Sequence, residues 1–126
     1  MIMFYNISNH PSKYWPSHQL SLAKQMAGEV VDIPFPEVSP HDGATDTYLN
    51  AQQFAQEIIN RLADGDVVHI MGEHTFMFSL VSFLLEHGVR CVASTTIREV
   101  EYTENGEKIS HFHFVAFRNY YKPTVD

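Results

Sequence analysis

One cysteine in 126 residues leaves no internal disulfide framework and no zinc site built from thiolates, because both need several. Positive charge is equally thin: eight Lys and Arg stand against fifteen Asp and Glu, a net charge of −7 with His neutral. The eight are scattered and form no stripe, which argues against binding long duplex nucleic acid through phosphate neutralisation. Apolar runs are short, and none approaches the ~18 residues of a membrane span. The N-terminal stretch lacks the basic-then-apolar order of a secretory signal, so the expected location is cytoplasmic, with no membrane partner. There is no G-x-G-x-x-G and no Walker motif, which removes the dinucleotide oxidoreductase and P-loop readings.

What is present reads as one α/β domain over residues 1–126, with 44% apolar residues and a length suited to a single core. Residues 1–7 are apolar and aromatic and stop at Ser8-Asn9-His10-Pro11, a strand running into a polar loop. Pro16 opens a helix that closes at Gly28, and a second strand covers 30–35. After the Pro-rich loop 36–43, Ala51, Phe54, Ala55, Ile58 and Leu62 mark the inner face of a helix over 47–63. A strand over 67–71 leads to 74–87, a helix apolar nearly all round. One sheet face covers only about half of such a helix, so the remainder is expected to meet a second copy in a two-fold homodimer. A fourth strand over 89–93 holds Cys91. Extended runs at 100–103 and 108–117 flank Asn105-Gly106, a strong hairpin signal.

Alternation of strand and helix predicts an α/β fold of three layers, a mostly parallel sheet sandwiched by helices and extended by a C-terminal antiparallel hairpin. Ligands of such sheets sit at the carboxyl ends of the strands. Three polar segments leave those ends and are expected to share one rim: Ser8-Asn9-His10, Gly72-Glu73-His74-Thr75 and Ser94-Thr95-Thr96. Gly72 lets backbone approach a ligand before a helix N-terminus that attracts anions; the same residues also read as a turn with Glu73 or Thr75 capping the helix. Ser94, Thr95 and Thr96 offer hydroxyls and amides, with Arg98 available to phosphate oxygens, although Ser and Thr are equally common in plain turns and strands.

With a two-residue turn at Asn105-Gly106, Glu104 faces Glu107, Val100 pairs with His111 and Arg98 with His113. Arg98, His111 and His113 then share one face, with Glu99, Phe112 and Phe114 on the other. His111 and His113 also form a candidate metal pair, but no third ligand has matching spacing, so no metal or cofactor is expected. His41, His69, His74 and His87 read as surface or capping residues. His10, on the rim, is placed to bind phosphate or carry a proton. Tyr14 and Trp15 read as packing residues beside the first helix.

Taken together, G-D-V-V-H-I-M-G-E-H-T at 65–75, A-S-T-T-I-R-E at 93–99 and H-F-H-F-V-A-F-R-N-Y at 111–120 resemble the small stand-alone CRISPR-associated ring nucleases with a CARF-type Rossmann-like fold. The resemblance lies mainly in the second half of the chain. It implies a homodimer that binds cyclic oligoadenylate, above all cyclic tetra-adenylate, and cleaves it, switching off a type III CRISPR response. It points to Ser8, Asn9, His10, Gly72, Glu73, Thr75, Ser94, Thr95, Thr96, Arg98 and Arg118.

Metal-free cleavage needs the ribose 2′-hydroxyl held in line with the leaving 5′-oxygen, where positioning alone supplies ~7–11 kcal/mol. Arg98, Thr95 and Thr96 are the candidates to stabilise the developing charge. Glu73 or His10 is the candidate proton acceptor, with His74 and His113 as further ligand contacts. Three other readings stay open: a sensor or sponge that binds the ring intact, a metal-dependent phosphodiesterase using His10, His111, His113 and Glu73, and a structural partner docking through the apolar helix.

Overall fold

The computed structural model describes residues 2–123, so Met1 of the expected first strand lies outside them. In chain order the elements are β1 (Met3–Ser8), a 3-10 turn (Ser12–Tyr14), α1 (Ser17–Met26), β2 (Glu29–Pro34), α2 (Ala44–Arg61), β3 (Val67–Ile70), α3 (His74–Glu86), β4 (Arg90–Tyr102) and β5 (Lys108–Asn119). The strands form one sheet in the order β2-β1-β3-β4-β5. All neighbours are parallel except β4 and β5, which pair antiparallel. This is the three-layer architecture that the alternation of elements predicts, of the Rossmann-like kind that the resemblance implies.

Side chains alternate across a strand, and the two resulting faces have different covers. Ile7, Val68, Ile70 and Cys91 pack under α2 and α3, with Ala51, Ala55 and Ile58 from α2 and Phe76, Leu80 and Leu84 from α3. Phe4, Val67 and Val92 face the other way, under Trp15 and Ala23, with Phe117 beside them. The order places β1 and β3 side by side while their crossover helices lie on opposite faces. That is a topological switch point, where a doubly wound sheet opens a crevice at its carboxyl edge.

The all-round apolarity of α3 has a nearer explanation than a second subunit. The sheet takes one side and α2 another, where Tyr48 meets Phe83 with ring centroids 5.1 Å apart. Phe78 stays 74% exposed. The N-terminus of α3 is closed by Glu73, whose carboxylate accepts from the Thr75 amide at 3.1 Å and the Phe76 amide at 2.8 Å.

Two expectations need correction. The segment Ser94-Thr95-Thr96-Ile97-Arg98-Glu99 is not a loop at the end of a strand: β4 runs unbroken from Arg90 to Tyr102. β3 ends at Ile70 while β5 continues, so the β-branched Thr95, Thr96 and Ile97 keep an extended partner and stay in strand.

The hairpin register is the second. Thr103 donates to the Glu107 carbonyl at 2.8 Å and Gly106 to that of Thr103 at 2.9 Å, so the loop has three residues, with Gly106 at φ 79°. That is a type I turn followed by a left-handed glycine. Each pairing in the outer arm therefore shifts by one, to Arg98↔Phe112 and Glu99↔His111. Arg98 and His113 point to opposite faces. Arg98 donates to Ser110 Oγ at 3.0 Å, while His113 meets Glu99 at 3.2 Å and His111 meets Glu101 at 3.3 Å.

Candidate functional site

At the carboxyl edge of β1, β3 and β4, on the α1 side, a cavity of about 450 Å³ is lined by Ser8, Asn9, His10, Trp15, Pro16, Gln19, His69, Met71, Gly72, Ser94, Thr96, Phe112 and Phe114. That volume is the scale of a small-molecule site. Alternation explains its walls: Ser8 on β1, His69 on β3, and Ser94 and Thr96 on β4 all project to this face. A bulge between Thr95 and Thr96 in the β4–β5 pairing leaves Val115 without a partner. It brings Phe114 and Phe112 onto the face of Phe117. His18 from α1 lies against Phe114, ring centroids 5.7 Å apart.

Behind these walls runs a row of buried polar side chains. Asn6 stands directly opposite His69 in the β1–β3 register, and both are almost wholly buried, at 1% and 2% exposed. Asn6 Nδ2 donates to Asp32 Oδ1 at 2.9 Å and to the His10 carbonyl at 3.0 Å. Both partners only accept, so the Asn6 amide has one possible orientation. Its Oδ1 accepts from Ser8 Oγ at 2.8 Å and meets His69 Nδ1 at 2.8 Å. His69 Nδ1 must therefore carry the proton. Nε2 is left bare and accepts from Ser94 Oγ at 2.7 Å.

Electrostatics agree that the ring is neutral. Burial drives His69 down to about 4, helped by the nearby His10, because a charged imidazole would lose its water among Phe4, Trp15 and Phe117. Burial pushes the Asp32 carboxyl up, but hydrogen bonds from Asn6 and Ser12 and the charge of Lys13 outweigh it and the net shift is downward. Asp32 thus holds a negative charge at the far end of the row.

Of the residues singled out in the sequence, Ser8, Asn9, His10, Gly72, Ser94 and Thr96 gather at this cavity. Arg98 stands on the same face of the arm, opposite Phe112. The others lie elsewhere. Thr95 faces the α3 side and donates to the Ala116 carbonyl at 3.2 Å; Arg118, opposite Ala93, shares that side. His113 sits behind the arm with Glu99.

Glu73 and Thr75 are taken up by the α3 cap, and Glu73 is held below the usual carboxylate range by the Phe76 amide, then the Thr75 hydroxyl and amide. The helix terminus already has its anion. His74, the first residue of α3, is exposed and outside the cavity. Among the described residues, no three His, Cys, Asp or Glu side chains come together as a metal site would require. Among the same residues, no helix is long and apolar enough to cross a membrane.

Trp15 is buried, as a packing residue should be, and its indole donates to the His10 carbonyl at 3.0 Å. Tyr14 is 65% exposed, so it does not pack there. Tyr120, at the end of the F-R-N-Y run, donates to the Ile70 carbonyl at 2.9 Å and ties the end of β3 in place. Sequence reasoning missed Asn6 and Gln19, and it missed His69. Its signal was there: a histidine in the four-residue strand Val67–Ile70 that the sheet buries on both faces.

The loop 36–43 closes a different cleft, of about 250 Å³, whose walls include Glu37, Asp42 and Glu57. Three carboxylates make it unsuitable for an anionic ligand.

A doubly wound α/β sheet with a cavity at its switch point, where hydroxyls and histidines meet aromatic rings, defines the class. Within it, the chain matches over residues 2–118 the model described as the Uncharacterized protein MJ1673 family, and it belongs to that family. No curated protein and no solved structure matches it.

Proposed function

We propose that the protein is a ring nuclease that binds cyclic oligoadenylate, with cyclic tetra-adenylate as its principal substrate, in the cavity between β1, β3 and β4. It opens the ring without a metal, by attack of a ribose 2′-hydroxyl, and so switches off a type III CRISPR response in the cytoplasm. The observation that carries this reading is the composition of one cavity. Ser8, Ser94, Thr96 and His10 line it together with Phe112 and Phe114, with Arg98 on the same face of the arm. A base stacks on aromatic rings while hydroxyls and a guanidinium take its phosphate.

A single cavity of about 450 Å³ has room for one nucleotide, and a two-fold homodimer offers the same groups twice around a ring. The 2′-hydroxyl attacks the neighbouring phosphorus, the 5′-oxygen leaves, and the product ends in a 2′,3′-cyclic phosphate. A second reading, a sensor or sponge that keeps the ring intact, draws on the absence of Glu73 and Thr95 from the cavity.

Incubation with cyclic tri-, tetra- and hexa-adenylate, with and without EDTA, followed by chromatography, separates the readings. Linear products carrying cyclic phosphate, undiminished by EDTA, are expected. Bound but intact ring means a sponge, EDTA-sensitive turnover a metal enzyme, and no binding of any ring removes the proposal.

A further inference from the structure

Three polar side chains from three adjacent strands meet end to end in the molecule's interior, where apolar ones would pack without desolvation cost. The row is directional. Asp32 and the His10 carbonyl fix the Asn6 amide, Asn6 fixes the protonated nitrogen of His69, and the bare Nε2 points at Ser94 Oγ from 2.7 Å. Packing alone would be satisfied by either tautomer. This arrangement permits only the one that accepts a proton from the cavity side. Ser94 lines the cavity, donates its own proton to His69, and accepts from Gln19 Nε2 at 3.3 Å. One lone pair of its oxygen is left for an incoming hydroxyl.

Resting on the ring-cleavage reading, we propose that Ser94 and His69 form the proton-accepting relay of this site, with Asn6 as the residue that positions it. The ribose 2′-hydroxyl passes its proton to Ser94 Oγ while Ser94 passes its own to His69 Nε2. The 2′-oxygen bonds to phosphorus and the P–O5′ bond breaks. Water at the open mouth protonates the leaving 5′-oxygen, and the hydroxide left behind takes the His69 proton back through Ser94, which restores water and the resting relay. The second N–H of Gln19, buried beside Ser94, is a donor to the charge that develops on the phosphoryl oxygens.

Burial makes His69 a weak base on its own, and a ligand that fills the cavity works against that. Asn6 and Ser8 face it from β1, Gln19 from α1 and Ser94 from β4. His10 lies near it, Asp32 stands behind Asn6, and aromatic rings close the rest. A bound phosphodiester raises the proton affinity of His69. The base therefore strengthens when the cavity fills.

Two measurements on the wild-type protein test the relay without any ring. Nitrogen-15 NMR of the histidines should show His69 with Nδ1 protonated and Nε2 bare at neutral pH. An alkyl fluorophosphonate should label Ser94, with fluoride leaving phosphorus as the Ser94 Oγ–P bond forms and the proton goes to His69. An Nε2–H ring, or no adduct at Ser94, overturns the relay whatever the ring assay gives.

With cyclic tetra-adenylate, Ser94→Ala should bind within a few-fold of wild type and cleave more slowly by about 10²-fold or more. His69→Gln should do the same and lose the pH dependence of the wild-type rate. Cleavage by Ser94→Ala within three-fold of wild type refutes the relay while leaving the ring reading intact. Labelling of Ser94 in a protein that opens no ring would remove the ring reading and keep the activated hydroxyl.

Discussion

Acid should unfold this protein through His69, and the size of the effect follows from its surroundings. In the unfolded chain the imidazole titrates near 6.5, and in the folded one burial lowers it to about 4. The unfolded state therefore binds the proton first as pH falls. The stability belonging to neutral His69 is whole above pH 6.5 and is lost progressively down to the folded value. From the two values, the loss is about 0.2 kcal/mol at pH 7, about 2 at pH 5 and about 3 at pH 4. His69→Gln removes the titration.

The variant also loses hydrogen bonds to Asn6 and Ser94, an offset of about 1–3 kcal/mol that does not vary with pH. Urea unfolding of both proteins at pH 7, 6, 5 and 4.5, with matched m-values, isolates the difference. Wild type should begin more stable and lose about 2 kcal/mol of that lead between pH 7 and 5. A lead constant to within about 0.5 kcal/mol over that interval would refute the placement of a neutral, desolvated His69 in the core.

Other substitutions probe separate parts of the structure. A Cβ on Gly72 would fall 2.4 Å from the ring of Phe35, which is buried against Phe76, so Gly72→Ala should destabilise by about 1–3 kcal/mol in urea unfolding. Glu73→Ala should lower the melting temperature at pH 7. That deficit should shrink below the ordinary carboxylate range, because a group held low in the folded state stabilises only while ionised. If Glu73 is a cap and no base, ring cleavage by the variant stays near wild type. Arg98→Ala should slow cleavage far more than it changes urea stability, and full activity would remove Arg98 from the site. Cross-strand NOEs should connect Arg98 with Phe112, and contacts from Arg98 to His113 would restore the two-residue turn.

Most elements of the fold could be read from local signals because their causes are local. Pro16 and Gly28 bracket α1, and Ala51, Ala55 and Ile58 at helical spacing mark the buried face of α2. In V-V-H-I the two valines and the isoleucine announce a buried strand. The errors sit where local signals are degenerate. Asn105-Gly106 fits a two-residue turn and also a three-residue loop with glycine last, and only Thr103 and Glu107 closing on each other decide between them. The row at the site was less legible still. Asn6 and His69 are 63 residues apart, and nothing in either neighbourhood shows that the sheet order makes them adjacent. His69 looked like one of several unplaced histidines because its partner is specified by topology.

The bulge at Val115 connects these two points. The inner part of the hairpin is anchored by Phe117, packed against Phe4 and Trp15 with ring centroids 5.0 and 6.0 Å away, and its pairs, Ser94↔Phe117 and Thr95↔Ala116, follow the count expected from a two-residue turn. The tip follows a different count because its loop has three residues. Two registers in one hairpin require one extra residue between them, and β5 supplies it at Val115. Without the bulge, strict alternation from Phe117 would turn His113 and His111 toward the cavity and Phe114 and Phe112 away from it. With it, the aromatic pair joins Ser94, Thr96 and Arg98, and the two histidines pass to the opposite face, where Glu99 and Glu101 receive them. A bulge beside a site re-aims side chains in this way. Here it sets the polarity of the wall facing Ser94: apolar rings suited to a base, with the cation beyond them at Arg98.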